Sequence, residues 1–233
     1  MAIFNTVYGG SWGGWKPWVN TLIYYPLTSD LVDVMWNWNT GTATWNVTFN
    51  ANPWSTTWCY VQWQNNIYVT GLSLWVNGKS TVTLNYWANF VSLKEYAALV
   101  WHNGNYDNQE PTKLISERGF QFLWCKWSNW NCYTDAENIP LNSWYHNFGF
   151  AIDNWTIKMY IDGQKVSFKS WLYSYNIWTV QNWTSELQLG YWWTYWTSRT
   201  STWYVRDYIV ETIAWSEDDF LNYYNQTKKK FWL

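Results

Sequence analysis

Tryptophan stands in this chain where a turning backbone normally needs glycine. The stretches "YWWTYWTS" (191–198) and "DVMWNWNTGTATWNV" (33–47) set indoles among Asn, Thr, Ser and Gly, in segments that otherwise read as loops. "NWN" at 37–39, "NWT" at 154–156 and 182–184, and "SNWN" at 128–131 repeat the pattern. Asn-Gly is the usual hairpin dipeptide because both residues accept positive φ. Trp does not accept it, since its Cβ is penalised there. The chain holds 26 Trp but only 12 Gly in 233 residues, a low glycine share against an average of about 7%.

Two readings account for this. In one, many of these letters are UGA codons, written here as Trp, that the source organism reads as Gly, as some bacterial lineages and their viruses do. Loop chemistry then becomes ordinary throughout. In the other, the protein is Trp-rich in fact and its indoles are platforms for sugar stacking, with many of them exposed and an attendant risk of aggregation. Trp87, Trp101, Trp144 and Trp215 sit within or beside apolar strand patterns and read as true Trp under either account.

Short alternating runs recur between the turn signals. Strands are expected at 21–27, 43–49, 59–63, 66–70, 80–91, 96–101, 113–124, 144–152, 156–162, 164–169, 185–190 and 204–213. "TVTLNYWANF" places Val82, Leu84, Tyr86 and Ala88 on one face, and "IDGQKV" carries a hairpin signal at Asp162–Gly163. One helix is evident after Ser216, an N-cap with Asp219 three residues on as a capping-box variant. Asp and Glu fill its first turn and Lys228 to Lys230 its end, matching the helix dipole. Phe220, Leu221 and Tyr224 are expected to face the sheet, and the three lysines to be solvated. The fold class is therefore all-β, a two-sheet antiparallel β-sandwich with one short C-terminal helix. Residues 1–20 read as a Gly-rich flexible lead and 21–233 as one domain.

Composition narrows the function. Charged residues are 13%, aromatics 24% and the net charge −2, with a negative mean hydropathy. This polar, strand-favouring mixture is of extracellular type. It gives no basic surface for nucleic acid and no apolar run long enough to span a membrane. The opening "MAIFNTVYGGSWGGWKPW" lacks the basic and apolar regions of a secretory signal peptide. The expectation is a fragment, or a protein that reaches the outside without the secretion pathway. Cys125 and Cys132 in "CKWSNWNC" either close a small disulfide loop or stand as two buried thiols, with Cys59 left over. A zinc site would need further ligands at matching spacing.

The segment "NSWYHNFGFAIDNWTIKMYIDGQKV" (142–166) resembles the laminin-G-like, concanavalin A-type jelly rolls. Their pattern is a Trp and a nearby His, a strand, an Asp-Gly-Gly turn, a strand ending in Tyr, then Asp-Gly. Here these are Trp144, His146, Asp153 with Asn154–Trp155, Tyr160, Asp162 and Gly163. "YYPLTSDLVDVMWNWNTG" (24–41) is similar to the family's first strand and turn, and "STWYVRDYIVETIAWSEDDF" (201–220) to its last strand and closing helix. There Trp203 stands at the family's Gly position and Trp215 at its Leu position. The likeness covers 22 to about 225, and implies a jelly roll that binds glycans or proteins, in some members with Ca2+.

Such folds also include glycoside hydrolases, whose Glu-x-Asp-x-Glu strand motif is absent. The nearest pair, Asp207 and Glu211, would lie about 13 Å apart along a strand. Retaining chemistry needs about 5–5.5 Å and inverting about 6.5–9.5 Å, so a structural pairing of Asp207 with Arg206 or Arg199 is expected instead. His146 reads as a hydrogen-bonding strand residue. Candidate ligand contacts on loops are His102, Tyr106, Asp107, Tyr191, Tyr195 and Arg199. Asp30, Asp33 and Asn37 could offer oxygens to calcium, or simply form Asx turns. These features lead to a non-catalytic module that binds a cell-surface glycan or protein. It would be carried on a virion as a tail-fibre or capsid-decoration protein, and assembled there with other copies or other virion proteins. A bacterial surface adhesin and a glycosidase are the alternatives.

Overall fold

The computed structural model describes residues 21–26, 41–43, 47–51, 58–61, 67–70, 81–92, 97–102, 110–116, 119–126, 129–134, 144–153, 156–166, 169–170, 186–189 and 202–231. Strands in chain order are β1 (Thr21–Tyr25), β2 (Gly41–Ala43), β3 (Val47–Ala51), β4 (Trp58–Val61), β5 (Ile67–Thr70), β6 (Thr81–Ser92), β7 (Ala97–His102) and β8 (Glu110–Ser116). They continue with β9 (Gly119–Lys126), β10 (Asn129–Thr134), β11 (His146–Asp153), β12 (Thr156–Ile161), β13 (Gln164–Val166), β14 (Lys169–Ser170), β15 (Glu186–Leu189) and β16 (Thr202–Glu211). Helix α1 (Glu217–Thr227) follows, and a 3-10 turn at Lys228–Phe231 ends the described chain.

The strands form two antiparallel eight-stranded sheets, and the molecule is a β-sandwich. The first runs β13-β12-β11-β6-β16-β4-β3; the second runs β14-β10-β9-β8-β7-β15-β5-β2. In the first sheet β16 pairs with β6 on one side, while β4 and β1 share its other side, β4 against 203–205 and β1 against 208–211.

Four strand expectations change in detail, and one is the run 164–169, which divides between β13 in the first sheet and β14 in the second. The run 43–49 divides between the sheets, with β2 in the second and β3 in the first. The run 113–124 is a hairpin, because Ser116 pairs with Gly119. Strand β10 was not expected, since "NWNCYT" carries few residues of strong strand preference.

The first sheet is buried on both faces. Its sandwich face carries Val82, Leu84, Tyr86, Ala88 and Phe90 of β6 with Phe148, Trp203, Val205 and Tyr208. Ring centroids lie 5.2 Å apart for Phe90–Phe148, 5.6 Å for Phe90–Trp203 and 5.7 Å for Tyr86–Phe148. Trp203, at the position where the family resemblance implies glycine, is thus a core residue here. Its other face packs under α1, where Tyr24, Trp87, Tyr145, Ala151, Tyr160 and Ile209 meet Trp215, Phe220, Tyr223 and Phe231.

The helix begins as its sequence requires. Ser216 Oγ accepts from the Asp219 N–H at 3.2 Å and the Ser216 N–H donates to Asp219 Oδ2 at 2.8 Å, a complete capping box. Its buried residues are Phe220, Tyr223 and Thr227, with Leu221 and Tyr224 only partly covered. Thr227 is buried because its hydroxyl is satisfied, donating to the Tyr223 carbonyl at 2.7 Å and accepting the Trp87 indole N–H at 3.1 Å.

Candidate functional site

The carboxylates that a hydrolase would need are placed by a bulge in β16. Arg206 pairs with Trp87 and Ile209 with Asn85, so Asp207 and Tyr208 together face one residue, Tyr86. Asp207 takes φ +51°, a left-handed conformation that Asp tolerates better than most residues. The extra residue resets the alternation of the strand. Trp203 and Val205 before it, and Tyr208 after it, all reach the sandwich face, while Arg206 and Asp207 meet groups on the helix side.

Asp207 is buried and held from several directions. The Tyr24 hydroxyl donates to Oδ1 at 2.9 Å, Lys230 Nζ donates to Oδ2 at 3.5 Å, and Arg206 Nε stands 3.9 Å from Oδ1. The Asp207 backbone N–H donates to the Pro26 carbonyl at 3.1 Å. Burial, reinforced by the Asp207 carboxylate, holds the Tyr24 phenol well above its ordinary range, which keeps it a donor. The expected pairing with Arg206 is present, but Tyr24 and Lys230 stand closer. Lys230 is therefore not simply a solvated end of the basic run.

Glu211 occupies a different environment. The Thr21 hydroxyl donates to Oε1 at 2.7 Å and the Trp215 indole N–H donates to Oε2. Burial raises the Glu211 carboxyl; these two donors pull it down, and Asp219 adds to the rise. Each carboxylate is thus committed to its own set of structural donors.

The third polar cluster is partly exposed. His146 Nδ1 lies 2.6 Å from Asp162 Oδ2, and Asp162 Oδ1 accepts the Asn147 N–H at 2.9 Å. Asp162 and Gly163 form a two-residue turn with φ +52° and +74°, closed by the pair Ile161–Gln164. Trp144, two residues before His146, is 40% exposed and donates its indole N–H to the Phe231 carbonyl at 3.1 Å. The His146–Asp162 pair gives His146 the hydrogen-bonding role read for it from sequence.

Most of the loop residues chosen from sequence lie outside the described residues: Tyr106, Asp107, Tyr191, Tyr195 and Arg199, and likewise Asp30, Asp33 and Asn37. His102 closes β7, where its backbone pairs with Leu187 of β15. That pairing is antiparallel, with Leu189 beside Val100. The chain therefore leaves β7 after His102 at one end of the second sheet, and leaves β15 after Leu189 toward the other. Cys125 stands opposite Trp130, and Cys132 opposite Leu123, on adjacent strands one diagonal step apart.

Among the described residues no three His, Cys, Asp or Glu side chains gather as a metal site. Among them, too, no helix is long and apolar enough to cross a membrane.

No protein-family model matches the chain, and no curated protein matches it. Solved structures do match in fold. A botulinum neurotoxin type C structure, from work on its dependence on two ganglioside molecules, matches at TM-score 0.69 and 12% identity, over 88% of this chain and 51% of that one. The binding domain of botulinum neurotoxin DC with rat synaptotagmin II matches at TM-score 0.68 and 11% identity, over 88% and 51%. Domain 4 of an extracellular GH43 arabinanase from Geobacillus stearothermophilus, in complex with arabinotriose, matches at TM-score 0.68 and 15% identity, over 88% of this chain and 98% of that one. The chain thus spans about half the length of the neurotoxin structures and nearly all of the arabinanase domain.

Proposed function

We propose that this protein is a non-catalytic binding module for a cell-surface glycan or protein. The observation that carries the reading is the match to a whole arabinanase domain solved with a bound oligosaccharide, at 88% and 98% coverage. The neurotoxin binding domains, one solved in complex with rat synaptotagmin II, support the wider class of partners. Asp207 and Glu211, the carboxylates nearest to a hydrolase pair, are buried and spent on Tyr24, Lys230, Thr21 and Trp215, which favours binding over hydrolysis.

The candidate contacts fall on two separate stretches of the sequence. His102, Tyr106 and Asp107 lie on one, and Tyr191, Tyr195 and Arg199 on the other. Aromatic faces beside planar polar groups are what sugar rings require, and a single ligand would engage one group. The laminin-G-like identity stays part of this proposal, as does placement on a virion or cell surface; the virion form is favoured if tryptophan letters prove to be glycine codons.

A glycan array together with ganglioside-containing vesicles tests the reading. Saturable binding to at least one glycan is expected. Silence across glycans together with no capture by synaptotagmin-like receptor domains would leave only a structural role. Release of reducing sugar from β-glucans, lost in Asp207→Asn or Glu211→Gln, would reinstate the hydrolase.

A further inference from the structure

Strand registers, independently of any ligand, single out particular tryptophan positions. Strands β11 and β12 pair from Phe148–Ile161 to Asp153–Thr156. The last pair leaves two residues, Asn154 and Trp155, to join the strands. Strands β9 and β10 pair up to Lys126–Asn129, which leaves Trp127 and Ser128. Connections of two residues use turns with positive φ at one or both positions: Asn-Gly suits the type with both, and Gly-Ser the type with the first. The β12–β13 hairpin of the first sheet shows the rule in this molecule. There Ile161 pairs with Gln164, and the connecting Asp162 and Gly163 take φ +52° and +74°. Substituting Gly for Trp turns the first two connections into Asn-Gly and Gly-Ser, each the preferred dipeptide for its register.

Tryptophans read as genuine behave differently. Three of the four, Trp87, Trp144 and Trp215, have described side chains. The indole N–H of Trp87 donates to Thr227, that of Trp144 to the Phe231 carbonyl and that of Trp215 to Glu211. Each is bonded within the fold that surrounds it. Trp203 is buried with no partner for its N–H, yet its ring fills the space beside Phe90, so it is left out of the assignment.

From the two registers we infer that positions 127 and 155 are glycine in the protein as its source makes it, and that the letter W there marks a codon read as glycine. The sharpest test is the gene with peptide masses from the natural source. UGA codons and glycine masses at 127 and 155, beside UGG codons and tryptophan masses at 87, 144 and 215, are expected. Tryptophan mass at either 127 or 155 overturns the assignment for that position. A second measurement uses the chain as written. Trp155→Gly and Trp127→Gly should each raise its thermal midpoint by about 2–4 °C, the shift equivalent to about 1 kcal/mol in a domain this size, or restore a folded product if the parent aggregates. Trp144→Gly should lower it. An unchanged or lowered midpoint in both turn variants overturns the steric argument.

Discussion

Phe220 fills the space that any side chain at Gly149 would need. A β-carbon on Gly149 would stand 2.3 Å from Phe220 Cε1 and 2.5 Å from Cδ1. The ring cannot swing clear, since it stacks on Tyr160 at 4.1 Å and meets Trp215 at 5.1 Å. Gly149→Ala should therefore loosen α1 from the first sheet and cost about 1–3 kcal/mol, the usual range for overpacking. Urea denaturation measures it. Adding Phe220→Leu should recover part of the loss in the double variant, as expected of residues in direct contact.

Asp207 combines a left-handed backbone with a buried charge. Asp207→Asn keeps a residue that tolerates φ +51° and can still accept the Tyr24 hydroxyl. Asp207→Ala keeps neither advantage. It leaves the Tyr24 O–H without its acceptor, and adds strain in the left-handed region worth about 1–2 kcal/mol. The alanine variant should be the less stable of the two by about 2–4 kcal/mol, adding the cost of an orphaned buried donor. Tyr24→Phe, which removes the donor and leaves the backbone untouched, should fall between wild type and Asp207→Ala.

Some of this was legible beforehand. The alternation of "TVTLNYWANF" marks β6 and its apolar face because that pattern is local. It does not reveal that Thr83 and Asn85, on the polar face, are also buried. They are covered by the chain near α1: Thr83 Oγ1 donates to the Ile213 carbonyl at 2.6 Å and accepts the Trp215 N–H at 2.8 Å. Those contacts join residues about 130 positions apart, which no window along one strand can see. The capping box of α1 was readable for the opposite reason, being complete within Ser216 and Asp219. Leu221 and Tyr224 do meet the sheet as expected, Tyr224 stacked on Trp87 at 5.7 Å and Leu221 against Gly163; the deeper burial of Tyr223 and Thr227 is not readable locally, because it depends on Gly149 opening a notch for Phe220 and on Trp87 satisfying Thr227. The tie from Lys230 to Asp207 was missed likewise, since a basic run at a helix end reads as solvated unless a distant buried acid is known.

Glu211 predicts a pH effect with a definite sign. Burial raises its carboxyl above the ordinary 4.5 in the folded state. Between that ordinary value and the raised one, the folded protein holds a proton that the unfolded chain has released, so stability falls as pH rises through this window. Above the window the loss is complete, and below pH 4.5 it is absent. Glu211→Gln keeps an oxygen to accept from Thr21 or Trp215 but cannot ionise. The stability of the glutamine variant relative to wild type should rise as pH is taken from about 4.5 toward neutral. Paired urea titrations across that range would read it; a difference independent of pH would show that the carboxyl is not raised.

Two buried indoles should respond unequally to the same change. Trp87→Phe removes the N–H that Thr227 accepts at 3.1 Å and shrinks a ring packed 4.1 Å from Phe231. A loss of about 2–3 kcal/mol is expected from the broken bond and the smaller ring. Trp203→Phe also shrinks a core ring, but it removes a buried N–H that has no partner, and relief of that desolvation offsets the cavity. Its cost should be under about 1 kcal/mol. Thermal melts of the two variants side by side separate these outcomes, and equal losses would refute the difference in indole bonding.

The division of the candidate contacts predicts how binding should fail. His102 ends β7 beside Leu187, while Leu189 ends β15 beside Val100, and the two groups of candidate contacts follow these two strand ends in the sequence. A ligand held by the 191–199 group should be weakened about tenfold by Tyr191→Ala or Tyr195→Ala, the equivalent of roughly 1.4 kcal/mol, with Tyr106→Ala and Asp107→Asn leaving affinity unchanged. A ligand held by the other group should show the reverse. Titration calorimetry with whichever glycan the array selects decides between them. Comparable losses from both groups would mean that one ligand engages both stretches.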